Sequence, residues 1–183
     1  AATHAIIGLT LDLAIARMRG LDAVDAQATA MMVHYKSIFA PTRVEAGFQE
    51  PLFPGIDSVI AGLSRQEDLI LGAVTGKSRR GLRQVCETHG WTETFFVART
   101  ADDCPSKPHP AMVLECCETA GILPADTIVI GDSIYDMEMA KAAGAHALGV
   151  SWGYGAVDDL KRAGADRIAD TAHHIPHLIR QFG

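Results

Sequence analysis

Basic residues are in the minority in this chain: 16 Lys and Arg stand against 22 Asp and Glu, a net charge of −6. A nucleic-acid binder usually shows the opposite, a basic stripe, so nucleic acid is not an expected partner. No apolar run is long enough to cross a membrane, and no basic segment leads into an apolar one at the start. Neither a membrane span nor a secretion signal is therefore expected. The four cysteines, Cys86, Cys104, Cys116 and Cys117, form no Cys-x-x-Cys pair. They read as reduced thiols of a cytoplasmic protein, with Cys116 and Cys117 packing in a helix. There is no internal repeat and no low-complexity segment. His173, His174 and His177 lack a neighbouring Cys, Asp and Glu set to complete a metal cage, and read as the start of a surface helix. What is present is ample apolar material: 48% of 183 residues, enough for one packed domain with or without a small appendage.

The first fifty residues read helical, with helices over 10–18 and 24–44; Gly20 stops the first, and Pro41 ends or breaks the second. Pro51, Pro54 and Gly55 mark a boundary. Beyond it the pattern alternates. Strands are expected at 69–74, 95–98, 127–130, 145–150 and 167–169. Helices are expected at 56–63, 78–89, 108–120, 133–143, 156–163 and from about 172. Such alternation predicts an α/β fold, a parallel sheet with helices on both faces.

The stretch 127–150 organises the chain. An apolar, β-branched run at 127–130 suggests a strand buried on both faces. Gly131 turns the chain, Ser133 can cap the next helix, and Gly144 can end it. Asp132 and Asp136 fall at the carboxyl end of that strand, where open α/β sheets bind ligands. Four apart, they can share one side of a helix start, and a carboxylate pair there suits Mg²⁺. The same two residues would also serve as plain caps and solvated charges.

Three further spots fall at strand ends. Thr75-Gly76-Lys77-Ser78 offers a hydroxyl, a flexible glycine and the N–H groups of a helix start, a cradle for phosphate or an ordinary turn capped by Ser78. Its glycine spacing is not that of a Walker A loop. Ser106-Lys107-Pro108-His109-Pro110 opens a helix, and Pro108 fixes the direction of Lys107, whose ammonium suits a phosphoryl oxygen or a carboxylate. Ser151-Trp152-Gly153-Tyr154-Gly155 reads as a loop near the pocket rim, without an assigned role.

Val74-Thr75-Gly76-Lys77, Lys107-Pro108-His109-Pro110 and Gly131-Asp132-Ser133-Ile134-Tyr135-Asp136 come in the order, and at about the spacing, of the second, third and fourth motifs of the haloacid dehalogenase superfamily. The chain resembles the phosphoglycolate phosphatase-like branch of that superfamily from Gly8 onward. The resemblance implies a Rossmann-like parallel sheet plus a small helical cap: residues 1–50 as a partial cap, residues 51–183 as the core. It implies that Thr75, with Gly76 and Lys77, binds the substrate phosphoryl group. Lys107 would neutralise that group and the nucleophile, Asp132 would ligate Mg²⁺, and Asp136 would support the metal site or order Lys107. The family's first motif, Asp-x-Asp-Gly-Thr on a central strand, is absent from the sequence. The core is thus expected to lack its first strand and the chain to be a shortened form of a longer protein. A rival reading makes residues 9–12 a degenerate first strand with Asp12 as nucleophile.

The resemblance implies a Mg²⁺-dependent phosphate monoester hydrolase working through an aspartyl-phosphate. The substrate would be a small phosphorylated metabolite such as 2-phosphoglycolate or a sugar phosphate. For want of the nucleophile, these 183 residues alone are expected to be inactive. Two alternatives stand beside it. One is a catalytically dead phosphate- or Mg²⁺-binding domain acting through a partner. The other is a metal-independent haloacid dehalogenase, against which the Asp132 and Asp136 pair argues. Oligomeric state is not legible.

Overall fold

The structure, a computed structural model, describes residues 6–45 and 51–182. Two helices come first, α1 (Leu11–Met18) and α2 (Ala26–Glu45). Their starts are locally encoded. Asp12, in the first turn of α1, accepts from Thr10 Oγ1 (2.6 Å) and from the Leu13 N–H (2.8 Å). Asp25 accepts from the Ala28 N–H (2.7 Å), which satisfies one orphan donor at the start of α2. Ile15, Ala16 and Ala28 form a small apolar cluster between the helices, with Leu11, Leu21 and Met32 against it. Residues 9–12 are therefore not a strand, and Asp12 is engaged in its own helix start. The expected break at Pro41 is also absent, since α2 continues to Glu45. An interior proline removes one N–H bond and more readily kinks a helix than ends it.

Past residue 50, helices and strands alternate as α3 (Ile56–Leu63), β1 (Gly72–Val74), α4 (Arg79–His89), β2 (Val97–Arg99), α5 (Ala111–Ala120), β3 (Ile128–Gly131), α6 (Ile134–Ala143), β4 (His146–Val150), α7 (Val157–Arg162), β5 (Arg167–Ala169) and α8 (Ile175–Ile179). Every strand pair is parallel. β1 is shorter than expected: Leu71 still accepts from the Phe96 N–H (2.9 Å), but the regular ladder begins only at Gly72. α5 starts at Ala111 rather than at Pro108. The residue before a proline is pushed out of helical conformation, so two prolines at 108 and 110 hold the chain in a turn.

β4 shows why helices cover both faces. Successive side chains on a strand alternate between faces. Ala147 joins a cluster with Met112, Val113, Met137, Ala140 and Leu160, which fills the side of α5, α6 and α7. Leu148 and Val150 join Val59, Leu63, Ala169, Ala172 and Ile175, the side of α3 and α8. β4 lies between β3 and β5, so both of its edges are also paired.

The single sheet expected from the alternation is present as two pieces, β1–β2 and β3–β4–β5. Among the described residues no strand pairs with the second edge of β1 or of β3. The opening also corrects the reading of 127–130 as buried on both faces: Val129 is 6% exposed, but Ile130 is 39% exposed.

Candidate functional site

The ends of β1 and β3 carry the site. At the end of β3, Ser133 caps α6 in a reciprocal arrangement. The Asp136 N–H donates to Ser133 Oγ (3.3 Å), while Asp136 Oδ2 accepts from the Ser133 N–H (3.1 Å) and hydroxyl (2.6 Å). This capping box satisfies donors at both ends of the turn and pins the Asp136 side chain inward. Gly131 makes room for it: a Cβ there would lie 2.4 Å from Asp136 Cβ. The remaining oxygen, Oδ1, accepts from Lys107 Nζ at 2.7 Å. Both partners are buried, Lys107 at 7% and Asp136 at 6% exposure. Lys107 Nζ also donates to the carbonyl of Val74 at the end of β1 (3.3 Å). One ammonium thus spans the opening between the two sheet pieces.

Asp132 sits one residue before the cap and is held differently. Its Oδ2 accepts from the Tyr154 N–H (3.0 Å). Among the described residues, no group donates to its other oxygen. On the β1 side, the Thr75 N–H donates to Arg99 O (3.0 Å), and Thr75 Oγ1 accepts from the Lys77 N–H (3.2 Å). Gly76 lies under the chain of residues 8 and 9, and a Cβ at that position would meet Leu9 O at 2.7 Å. Lys77 is exposed. Ser78 caps α4 by accepting from the Gly81 N–H (3.2 Å).

Sequence reasoning passed over the loop that delivers Lys107. The Ala101 N–H donates to Lys77 O (3.0 Å), and Asp102 accepts from the Arg79 N–H (2.8 Å). Asp103 accepts from the Thr100 hydroxyl (2.6 Å) and N–H (2.9 Å) and pairs with Arg79. The Thr100 hydrogen bond and then the Arg79 guanidinium hold the Asp103 carboxyl down to about 2. These bonds tie the Lys107 loop to the turn after β1. The available signal was an Asp three residues after Thr100, a side-chain-to-backbone turn pattern. The Ser106 hydroxyl also accepts from the Thr10 N–H (2.9 Å), joining this loop to the start of α1.

The structure therefore brings Lys107, Asp136 and the end of β1 together, with Asp132 next to the Ser133 cap. It does not bring in the histidines: His173, His174 and His177 are exposed around the start of α8. Among the described residues no group of three or more His, Cys, Asp or Glu side chains could hold a metal. A hard cation at Asp132 would thus take one protein carboxylate and complete its shell with water and phosphate oxygens. That is how Mg²⁺ is commonly held. The donor set fits that mode; both Asp136 oxygens already accept hydrogen bonds, Oδ1 from Lys107 and Oδ2 from Ser133. A cleft of about 540 Å³ lined by Ile7, Tyr135, Tyr154 and Arg162 borders Ser133 and Gly155; Thr75 and Lys107 are not in its wall. The Cys104 and Cys116 thiols are poor nucleophiles, since burial pushes both up to about 11. Among the described residues no helix is long and apolar enough to cross a membrane.

Residues 2–150 match the model of the haloacid dehalogenase-like hydrolase family, and the chain belongs to that family. It is 34% identical over 173 residues to a Dickeya dadantii protein named "Probable phosphatase IndB", covering 93% of this chain and 74% of that one. It is 31% identical over 131 residues to a phosphoglycolate phosphatase of Nitrosococcus oceani, covering 71% of this chain and 58% of that protein. The chain thus spans less than two thirds of the length of that phosphatase. Among solved structures, a hydrolase from Pseudomonas syringae superposes with a TM-score of 0.79 at 25% identity, covering 98% of this chain and 82% of that one.

Proposed function

We propose that this chain carries the phosphate- and cation-holding part of a phosphatase for small phosphate monoesters, of the phosphoglycolate phosphatase type. The observation that carries the reading is the buried Lys107–Asp136 pair, 2.7 Å apart, beside Asp132 and the end of β1. A buried ammonium held between a carboxylate and a carbonyl is a fixed positive charge, aimed without reorganisation at phosphoryl oxygens. The Thr75 hydroxyl, the Gly76 N–H and the Lys77 ammonium supply the donors of the same anion site. Asp132 is the protein ligand of Mg²⁺, and Asp136 orders Lys107. Mg²⁺, when bound, neutralises charge on the phosphoryl oxygens. Residues 1–50 act as a partial helical cap over a core of residues 51–183. The four cysteines, free in the structure, suit a cytoplasmic protein.

None of these groups is an in-line nucleophile. Lys107 is a paired ammonium, both Asp136 oxygens are engaged, and Asp132 faces the cation. The family resemblance assigns that task to a carboxylate in an Asp-x-Asp strand, and the sequence contains no Asp-x-Asp. Among the described residues the second edges of β1 and β3 are unpaired, which is compatible with such a strand between them. The test is hydrolysis of p-nitrophenyl phosphate and 2-phosphoglycolate with and without Mg²⁺. These 183 residues should show no turnover above background. The same chain extended upstream through an Asp-x-Asp strand should show Mg²⁺-dependent turnover that Lys107→Ala removes. An extended protein that is inert toward both substrates, while folded, overturns the phosphatase reading.

A further inference from the structure

Residues 151–155 leave the end of β4 and cross to the end of β3. There the Gly155 N–H donates to Asp132 O (2.8 Å), and the Tyr154 N–H donates to Asp132 Oδ2 (3.0 Å). Gly153 lies against the same side chain. A Cβ built on Gly153 would stand 2.1 Å from Asp132 Cβ and 2.4 Å from Oδ2; one on Gly155 would stand 2.5 Å from Asp132 O. Neither glycine has a left-handed backbone. What excludes a side chain at 153 is space, not conformation. The crossing is anchored at both ends: β4 is buried up to Val150, Trp152 packs on the cluster around Leu148, and Leu160 beyond the turn is fully buried.

We infer that residues 153–155 are a positioning clamp for Asp132. The Tyr154 N–H and a glycine wall hold the carboxylate by one oxygen, the Gly155 N–H holds the Asp132 main-chain carbonyl, and the other carboxylate oxygen is left for a cation. The inference rests on the reading of Asp132 as the cation ligand. Its physical content is twofold. A carboxylate already fixed loses less rotamer freedom when a cation arrives. With Oδ2 engaged, Asp132 offers a single oxygen, which suits a small octahedral cation such as Mg²⁺ or Mn²⁺. Ca²⁺, which readily takes carboxylates in bidentate fashion, gains less from it. Outer groups that orient a ligand are typically worth one to two orders of magnitude in metal affinity.

The experiment uses the 183-residue chain and Mn²⁺ as the probe. First, without metal, the Tyr154 amide is followed by ¹⁵N NMR in the parent, Asp132→Ala and Gly153→Ala. The amide resonance should move upfield in both variants as its charge-assisted bond is lost. Second, Mn²⁺ and Ca²⁺ binding is measured by calorimetry. Gly153→Ala should bind Mn²⁺ about 10- to 100-fold more weakly, lose less toward Ca²⁺, and keep its circular dichroism. Gly62→Ala, where a Cβ meets nothing within 4 Å, is the control and should match the parent. A Tyr154 amide that does not respond to Asp132→Ala refutes the clamp. So does a Gly153→Ala protein with parental Mn²⁺ affinity, or one weakened equally toward both cations. A responsive amide in a parent that binds no Mn²⁺ instead overturns the metal reading of Asp132 and leaves the hydrogen-bonded clamp standing.

Discussion

Removing one partner of the Lys107–Asp136 pair should cost far more than an ordinary ion pair is worth. In Asp136→Ala, the ammonium stays in a site only 7% exposed, with the Val74 carbonyl, 3.3 Å away, as its remaining acceptor. The Ser133 N–H and hydroxyl lose their shared acceptor at the same time. Stranding a buried charge typically costs about 3–5 kcal/mol, against about 0–1 kcal/mol for an exposed pair. For a chain of this size each kcal/mol lowers the melting temperature by about 2–4 °C, so the variant should melt about 6–20 °C below the parent. Lys107→Met alone should cost less, because Asp136 keeps its two Ser133 donors. The double variant Lys107→Met/Asp136→Ala should recover at least half of the Asp136→Ala loss, since no unpaired charge is then left buried. Urea denaturation followed by far-ultraviolet circular dichroism measures all four corners of the cycle. A loss below about 1 kcal/mol in Asp136→Ala, or no recovery in the double variant, would refute the picture of a desolvated pair.

Two further outcomes follow from the neighbouring turns. The Asp103 carboxyl is held down to about 2 from an ordinary value of 3.8, so its contribution is complete above pH 3.8 and is lost as the pH falls through about 2. The parent should therefore lose about 1–2 kcal/mol more than Asp103→Asn between about pH 4 and pH 2, discounted for the exposure of Arg79, and acid titration of stability that is parallel in the two proteins would contradict this. Gly131→Ala forces a Cβ to 2.4 Å from Asp136 Cβ; it should destabilise by about 1–3 kcal/mol as an overpacked site, and an unchanged urea midpoint would contradict the seating of Asp136.

What could be read from the sequence was local. Ser133 and Asp136 are three residues apart, so a capping box is written in the spacing, and Gly144 ends α6 in the left-handed conformation that glycine tolerates. The alternation of apolar strands and helices gave the parallel pairing, because each period depends on neighbouring residues alone. The site's internal wiring was not legible. Lys107 and Asp136 are 29 positions apart, Thr10 and Ser106 are 96 apart, and no local pattern encodes either bond. The same limit left Asp136 with two roles in the sequence, metal support or ordering of Lys107, because its 2.7 Å contact with Lys107 is made only in space. The strand lengths at β1 and β2 were overestimated because apolar content persists where the ladder stops: Ile70 and Phe96 are 49% and 66% exposed.

The placement of Lys107 also explains why its loop is so heavily tied. Parallel strands usually hold catalytic groups in register through the ladder between them, but β1 and β3 share no ladder bond. At the site their ends are linked by the bridge that Lys107 makes, with Val74 O on one side and Asp136 on the other. A long flexible stem is a poor spacer unless its base is fixed. Here the base is fixed by Ala101 to Lys77, Asp102 to Arg79, Asp103 to Thr100 and Arg79, and Ser106 to Thr10. Each such bond contributes only about 1 kcal/mol net. Together they make the direction of one ammonium a property of the whole loop. The same ties lead from that loop to the turn after β1 and to the start of α1, so the loop that carries Lys107 is joined both to that turn and to the helical pair.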